Sequence, residues 1–208
     1  MQRSFSDQLI TAIDDFIFAS FSNSYHHSLP KQHSETLTDP EEVEHVVGLM
    51  RINQVGEVCA QALYSGAKLF ARQAKTYDFL DAAQKEELIH LSWCNRRLEQ
   101  LKGRPSYLTP LYYSGAFIMG AVAGAISDKT SLGFVVETER QVEKHLFSHI
   151  SLIPKHDKIT LSILEQMKLD EAEHADKALK LGPADVGETQ KSAMAFAASV
   201  MKTCAYYL

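Results

Sequence analysis

The chain has 208 residues, 45% of them hydrophobic, enough to bury one sizeable core. Its net charge of -5 argues against the basic surface of a nucleic-acid binder. Three scattered cysteines, Cys59, Cys94 and Cys204, form neither a disulfide framework nor a thiolate metal site, and they point to a reducing compartment.

The N-terminal stretch MQRSFSDQLITAIDDFIFASF carries Asp7, Asp14 and Asp15 and lacks a small-residue cleavage site. An amphipathic helix is therefore expected, not a signal peptide. Together with a polar linker it fills residues 1–38, and one domain is expected over 39–208. At TDPEEVEH the helix start signals are strong. Asp39 suits the N-cap, Pro40 the first helical position and Glu42 the third. This helix should run to about Gln73, turning Val46, Met50, Glu57 and Tyr64 inward. The next should run from about Asp78 to Leu101, with Leu80, Ala83, Glu87, His90, Cys94 and Leu98 inward, and stop at Gly103–Pro105.

Between Arg104 and Asp128 there is no charged residue. Pro105 and Pro110 are expected to cut this segment, leaving a helix over Leu111–Ile126, too short to require a membrane span. Two settings suit it. One is a buried helix of a bundle. The other is a helix in the membrane interface, with Tyr107, Tyr112 and Tyr113 at headgroup level. A helix over about Ser131–Ile153 follows, with Val135, Glu139, Val142 and Leu146 inward. Another spans about Asp157–Leu181, closed by Gly182–Pro183, and an apolar helix ends the chain. The expected fold class is all-α, with four long helices at its centre.

Ile163, Met167, Glu171, His174 and Ala178 fall on one helical stripe, so an acid and an imidazole sit one turn apart where a core is expected. Glu-x-x-His occurs three times, at Glu42–His45, Glu87–His90 and Glu171–His174. The first is set aside, because Glu42 suits a helix N-terminus and lies about 22 Å along the helix from Glu57. Each of the other two follows a helix with one inward acid. Glu57 precedes Glu87–His90, and Glu139 precedes Glu171–His174. Glu143 shares the face of Glu139 and is a rival for its place.

The order Glu, Glu-x-x-His, Glu, Glu-x-x-His over four helices is that of carboxylate-bridged di-iron and di-manganese bundles. Four carboxylates balance two divalent cations, and the mixed oxygen and nitrogen donors suit iron or manganese. Metals with free positions can activate dioxygen. A ferroxidase, peroxidase or catalase on the same bundle is one alternative. A metal-free membrane-associated helical adaptor is another.

The blocks RINQVGEV (51–58), EELIHL (86–91), VVETER (135–140) and DEAEH (170–174), with the closing YYL, resemble the demethoxyubiquinone hydroxylase (Coq7) family. The resemblance runs from about Val46 to the C-terminus. It implies a ferritin-like di-iron monooxygenase of ubiquinone biosynthesis that hydroxylates 2-polyprenyl-3-methyl-6-methoxy-1,4-benzoquinol with O2. It also implies Glu57, Glu87, His90, Glu139, Glu171 and His174 as ligands of two iron ions, the set that helix spacing selects. Some members carry a His-His-Tyr run linked to reduction by NADH. Here that stretch reads Lys144, His145, Leu146, so His145 is the candidate electron-donor contact, for NADH or another reductant.

A polyprenyl tail partitions into lipid. A peripheral position at the cytoplasmic face of the inner membrane is expected, with Leu111–Ile126 and Ala193–Leu208 as contact candidates and partners from the same pathway. Tyr64, on a face similar to that of Glu57, is the candidate for lining a quinone pocket. Asp170 and Asn53 are candidates for orienting the imidazoles.

Overall fold

Apolar and charged residues alternate along most of the chain with the period of a helix, and in the computed structural model the described residues, 5–21, 27–31 and 33–208, form helices and the loops that join them. Parts of the expected N-terminal segment, residues 1–4, 22–26 and 32, lie outside them. The helices are α1 (Phe5–Phe21), α2 (Pro40–Lys68), α3 (Ala74–Gln100), α4 (Thr109–Ile126), α5 (Asp128–Leu152), α6 (Lys158–Lys180) and α7 (Glu188–Tyr207). Among the described residues there is no strand, as the expected all-α class requires.

The four long helices α2, α3, α5 and α6 pair as two hairpins, α2 with α3 and α5 with α6, that pack together as a ferritin-like bundle. One apolar layer gathers Met50, Trp93, Leu98, Leu146, Ile163 and Met167. A second gathers Tyr64, Leu80, Leu132, Val135 and Ala178. The carboxylate and imidazole cluster described below is built from α2, α3, α5 and α6, on positions that alternate with these core residues.

Local signals explain most boundaries. Asp39 accepts the N–H of Glu41 at 2.9 Å and caps α2. Glu42 instead bonds His156 across the end of the bundle at 3.0 Å. Asp157 caps α6 by accepting the Thr160 N–H. Gly182, at φ 77°, supplies the left-handed residue after α6. After α3 that place is taken by Lys102, at φ 57°, while the Gly103 N–H reaches the Leu98 carbonyl at 2.8 Å. Gly103 is needed for space, since a Cβ there would stand 2.7 Å from Val47.

Helix α4 corrects two expectations. Pro110 does not cut it, because a proline in the first turn lacks only an N–H that has no helical partner. Tyr113 is fully buried against Ala19, Val58, Ala62 and Leu91 and so is no headgroup anchor. The helix lies close along α2 because three glycines remove side chains from the contact. A Cβ at Gly66 would fall on the Phe117 carbonyl oxygen, one at Gly120 on that of Leu63, and one at Gly124 2.9 Å from that of Ala67.

Candidate metal centre

Each of the six acids and histidines singled out in the sequence is at most 2% exposed. Burying four carboxylates costs more than a fold recovers unless cations or protons balance them. The structure brings all six together. Glu57, Glu87, His90 and Glu171 each offer a ligand atom within 4.8 Å of the others, and so do Glu87, Glu139, Glu171 and His174. Glu87 and Glu171 belong to both groups. Glu143, the rival for the place of Glu139, is half-buried and in neither group.

Both imidazoles turn Nδ1 towards the carboxylates. Nδ1 of His90 lies 3.3 Å from Glu87, 3.4 Å from Glu171 and 3.5 Å from Glu57. Nδ1 of His174 lies 3.1 Å from Glu87 and 3.5 Å from Glu171. The outward nitrogens are each held by a further acid, Nε2 of His90 by Asp170 at 3.0 Å and Nε2 of His174 by Glu86 at 2.6 Å. This is the outer support that keeps a ligating imidazole in one tautomer and orientation. Asp170 occupies the orienting place that the sequence suggested. Asn53 does not, since its amide faces the sulfur of Met50 at 3.7 Å. Glu86 was not singled out, although an acid adjoining Glu87, as Asp170 adjoins Glu171, was a readable signal.

The cluster fits metal ions. Glu57 Oε2, Glu87 Oε1, Glu139 Oε2, Glu171 Oε2 and His174 Nδ1 are buried without a hydrogen-bond partner, and their residues make up the two groups. Without a cation the charges settle among the side chains. Burial holds Glu57 and Glu139 well above the usual carboxylate range, with their neighbouring acids adding to it. Burial also acts to raise Glu87 and Glu171, but close polar neighbours outweigh it and hold both below that range, His174 and His90 at Glu87 and Glu139, His174 and His90 at Glu171. Burial opposes protonation of the imidazoles. Their carboxylate partners outweigh it, raising His90 well above its ordinary value and His174 to about 11. A divalent cation at each group would displace these protons and supply the same balance.

Tyr64, expected to line a pocket, is fully buried, and its hydroxyl donates to Glu139 Oε1. His145 lies away from the six, on α5. Its ring meets that of His149 edge-on with centroids 3.8 Å apart, and its Nε2 has no hydrogen-bond partner. Burial lowers these two histidines to about 2 and about 4, so both are neutral.

Comparison with known proteins covers the part of the chain that holds these residues. The family model described as ubiquinone biosynthesis protein COQ7 matches residues 44–206. The 3-demethoxyubiquinol 3-hydroxylase of Xanthomonas euvesicatoria pv. vesicatoria (strain 85-10) is 50% identical over 174 residues, 84% of this chain and 80% of that protein. The enzyme of the same name from Ralstonia pickettii (strain 12J) is 52% identical over 162 residues, 78% of this chain and 75% of that protein. That of Cupriavidus metallidurans is 52% identical over 168 residues, 81% of each chain. With four helices converging on one buried set of acids and imidazoles, and a family match across most of its length, the chain belongs to the COQ7 family of ubiquinone biosynthesis proteins.

Proposed function

We propose that this chain is a 3-demethoxyubiquinol 3-hydroxylase, a monooxygenase that uses two iron ions and O2 to hydroxylate a polyprenylated benzoquinol. The observation that carries the reading is the pair of overlapping four-residue groups sharing Glu87 and Glu171. Bound iron would supply the activation of O2 that an organic quinol does not achieve by itself. Glu57 and His90 would hold one ion, Glu139 and His174 the other, and Glu87 and Glu171 would serve both. Asp170 and Glu86 fix the imidazoles, and the Tyr64 hydroxyl steadies Glu139. The near-complete burial of the six excludes water from the reacting groups. His145 would stand on the route from the reductant, NADH or another donor.

Because the substrate's tail partitions into lipid, the enzyme would work peripherally at a membrane, and we assign it to the cytoplasmic face. The only described helix apolar and long enough to cross a membrane is Thr109–Ile126, 33% buried. It shows Leu111, Ile118, Val122 and Ile126 to the outside. An arginine marks each end. Arg72 donates to the Ile126 and Ala125 carbonyls at 3.1 and 2.8 Å, and Arg104 stacks 3.6 Å over the exposed Tyr107 ring. Arginine and tyrosine at the ends of an apolar helix suit the headgroup layer. On α7, Phe196, Val200 and Tyr207 are likewise exposed. Three unpaired cysteines suit the reducing side. Other proteins of ubiquinone biosynthesis would be its partners.

The test is single-turnover chemistry. Iron-loaded, reduced protein is mixed with demethoxyubiquinol in detergent and labelled O2, and the quinone is analysed by mass spectrometry. The reading expects one labelled oxygen atom in the ring. Oxidation of the iron without quinol product would instead place the chain with the ferroxidases.

A further inference from the structure

Helix α1 lies before the family match, which begins at residue 44, so the family's chemistry gives it no task. Its rotation is fixed from inside. Ala12 and Ala19 are buried, and Phe16 meets Tyr113 of α4 edge-on with centroids 5.2 Å apart. The Asp15 carboxylate accepts from Ser65 at 3.1 Å and from Gln84 at 2.8 Å. With these residues turned inward, helical spacing sends Ile10, Ile13 and Ile17 to the opposite side. They are 59, 51 and 53% exposed.

Three isoleucines on one stripe are more than scattered surface apolar residues. Among the described residues, α2 and α3 carry no large exposed apolar side chain, while α1, α4 and α7 carry most of them. Helix α1 also touches α4 directly, through Phe16 and Ala19 against Tyr113, Ala116 and Phe117. The inward and outward faces of α1 thus repeat the division of α4, whose own outward stripe is the lipid-contact candidate above.

We infer that α1 is a second lipid-contacting helix, which lays Ile10, Ile13 and Ile17 into the interface of a zwitterionic bilayer beside α4. The inference rests on the membrane reading of the proposed function. Charge decides the lipid class. From Phe5 to Phe21 the helix has three acids and no lysine or arginine. Asp15 is taken up inside, and Asp14 is exposed at the rim of the isoleucine stripe. An anionic surface would repel such a rim, whereas phosphatidylcholine and phosphatidylethanolamine headgroups tolerate it.

The experiment is flotation of the full chain with phosphatidylcholine vesicles. It compares the wild type with the double variant Ile13→Glu/Ile17→Glu, with Ile118→Glu on α4, and with Phe147→Glu on the exposed side of α5. Ile13 and Ile17 are each more than half exposed, so circular dichroism and metal content should be unchanged in the double variant. The expected result is a drop of about tenfold or more in vesicle partition for the α1 and α4 variants and none for Phe147→Glu. In addition, a fluorophore on Ile13→Cys should be quenched by lipids carrying a quencher in the acyl chain. If the wild type and Ile118→Glu behave as expected but the α1 variant floats like the wild type, this inference fails alone. A wild type that does not float overturns the membrane reading as well. A lipid-free dimer that the α1 substitutions dissociate would assign the stripe to a second copy of the chain and overturn the inference.

Discussion

Asp170 holds the Nε2 atom of His90 at 3.0 Å and thereby leaves Nδ1 to face Glu57, Glu87 and Glu171. Glu86 does the same for His174 from the other half of the bundle. The two supports differ in setting. Asp170 is 28% exposed and also bonds Gln166, whereas Glu86 is 47% exposed and lies near Lys177. Asp170→Asn should lower iron affinity about 10- to 100-fold while leaving thermal stability nearly unchanged. Glu86→Gln should have a smaller effect, because its carboxylate is partly solvated. Competition with a chromophoric chelator measures both, and equal affinity in all three proteins would contradict the orienting role.

Metal binding should depend on pH in a definite direction. In the metal-free protein His90 and His174 sit above their ordinary range, and Glu57 and Glu139 sit above theirs. The histidines stabilise the metal-free fold below pH 6.5, and that contribution is lost as pH rises through their folded values, near 11 for His174. The two raised acids also disfavour folding as pH climbs above their ordinary range, since the unfolded chain ionises them freely. Cations must displace these protons. Between pH 6 and 8 the metal-free melting temperature should fall while iron affinity rises, with protons released on binding. Calorimetry in buffers of different ionisation enthalpy counts those protons, and a count of zero would contradict the charge assignment.

A second buried charge is structural. Arg97 is fully buried, donates to Thr160 at 2.8 Å and to Asp157 at 3.0 Å, and bonds Glu35. It ties α3 to the capped start of α6, the helix that carries Glu171 and His174. Arg97→Leu would leave Asp157 buried without its cation and should destabilise the fold by about 3–5 kcal/mol. Denaturant titration checks this. A loss below about 1 kcal/mol would show that Asp157 finds water or another partner.

The close approach of α4 to α2 is equally specific. Gly120→Ala should lower stability by about 1–3 kcal/mol, because the added carbon falls on backbone that has no rotamer to give. Gly115→Ala on the same helix meets nothing within 4 Å, and it should stabilise by up to about 1 kcal/mol through helix propensity. Thermal melts of the pair, read against each other, separate packing from propensity.

How much of this was legible depends on range. Stripes three and four residues apart placed Glu57, Glu87, His90, Glu139, Glu171 and His174 inward, because local periodicity fixes which side chains face a core. Boundaries set by distant partners were not readable. Helix α2 was expected to reach Gln73 but stops at Lys68, since both carboxylate oxygens of Asp128 accept backbone N–H groups of the next turn, those of Arg72 and Gln73, at 2.9 and 2.8 Å. Nothing near Lys68 in sequence announces an aspartate about sixty positions on. The same holds for Tyr113, whose burial depends on α1 folding back over α4, and for Arg97, whose partners Glu35 and Asp157 come from opposite directions along the chain.

The central claim, two metal ions sharing Glu87 and Glu171, is tested most directly by iron stoichiometry. Wild type, Glu57→Ala and Glu171→Ala are produced in iron-supplemented medium, and iron is measured per chain. About two irons are expected in the wild type, a partial loss in Glu57→Ala, whose residue belongs to one group, and loss of both in Glu171→Ala, whose residue belongs to both. Wild-type iron in Glu171→Ala, or none in the wild type, would contradict the shared centre.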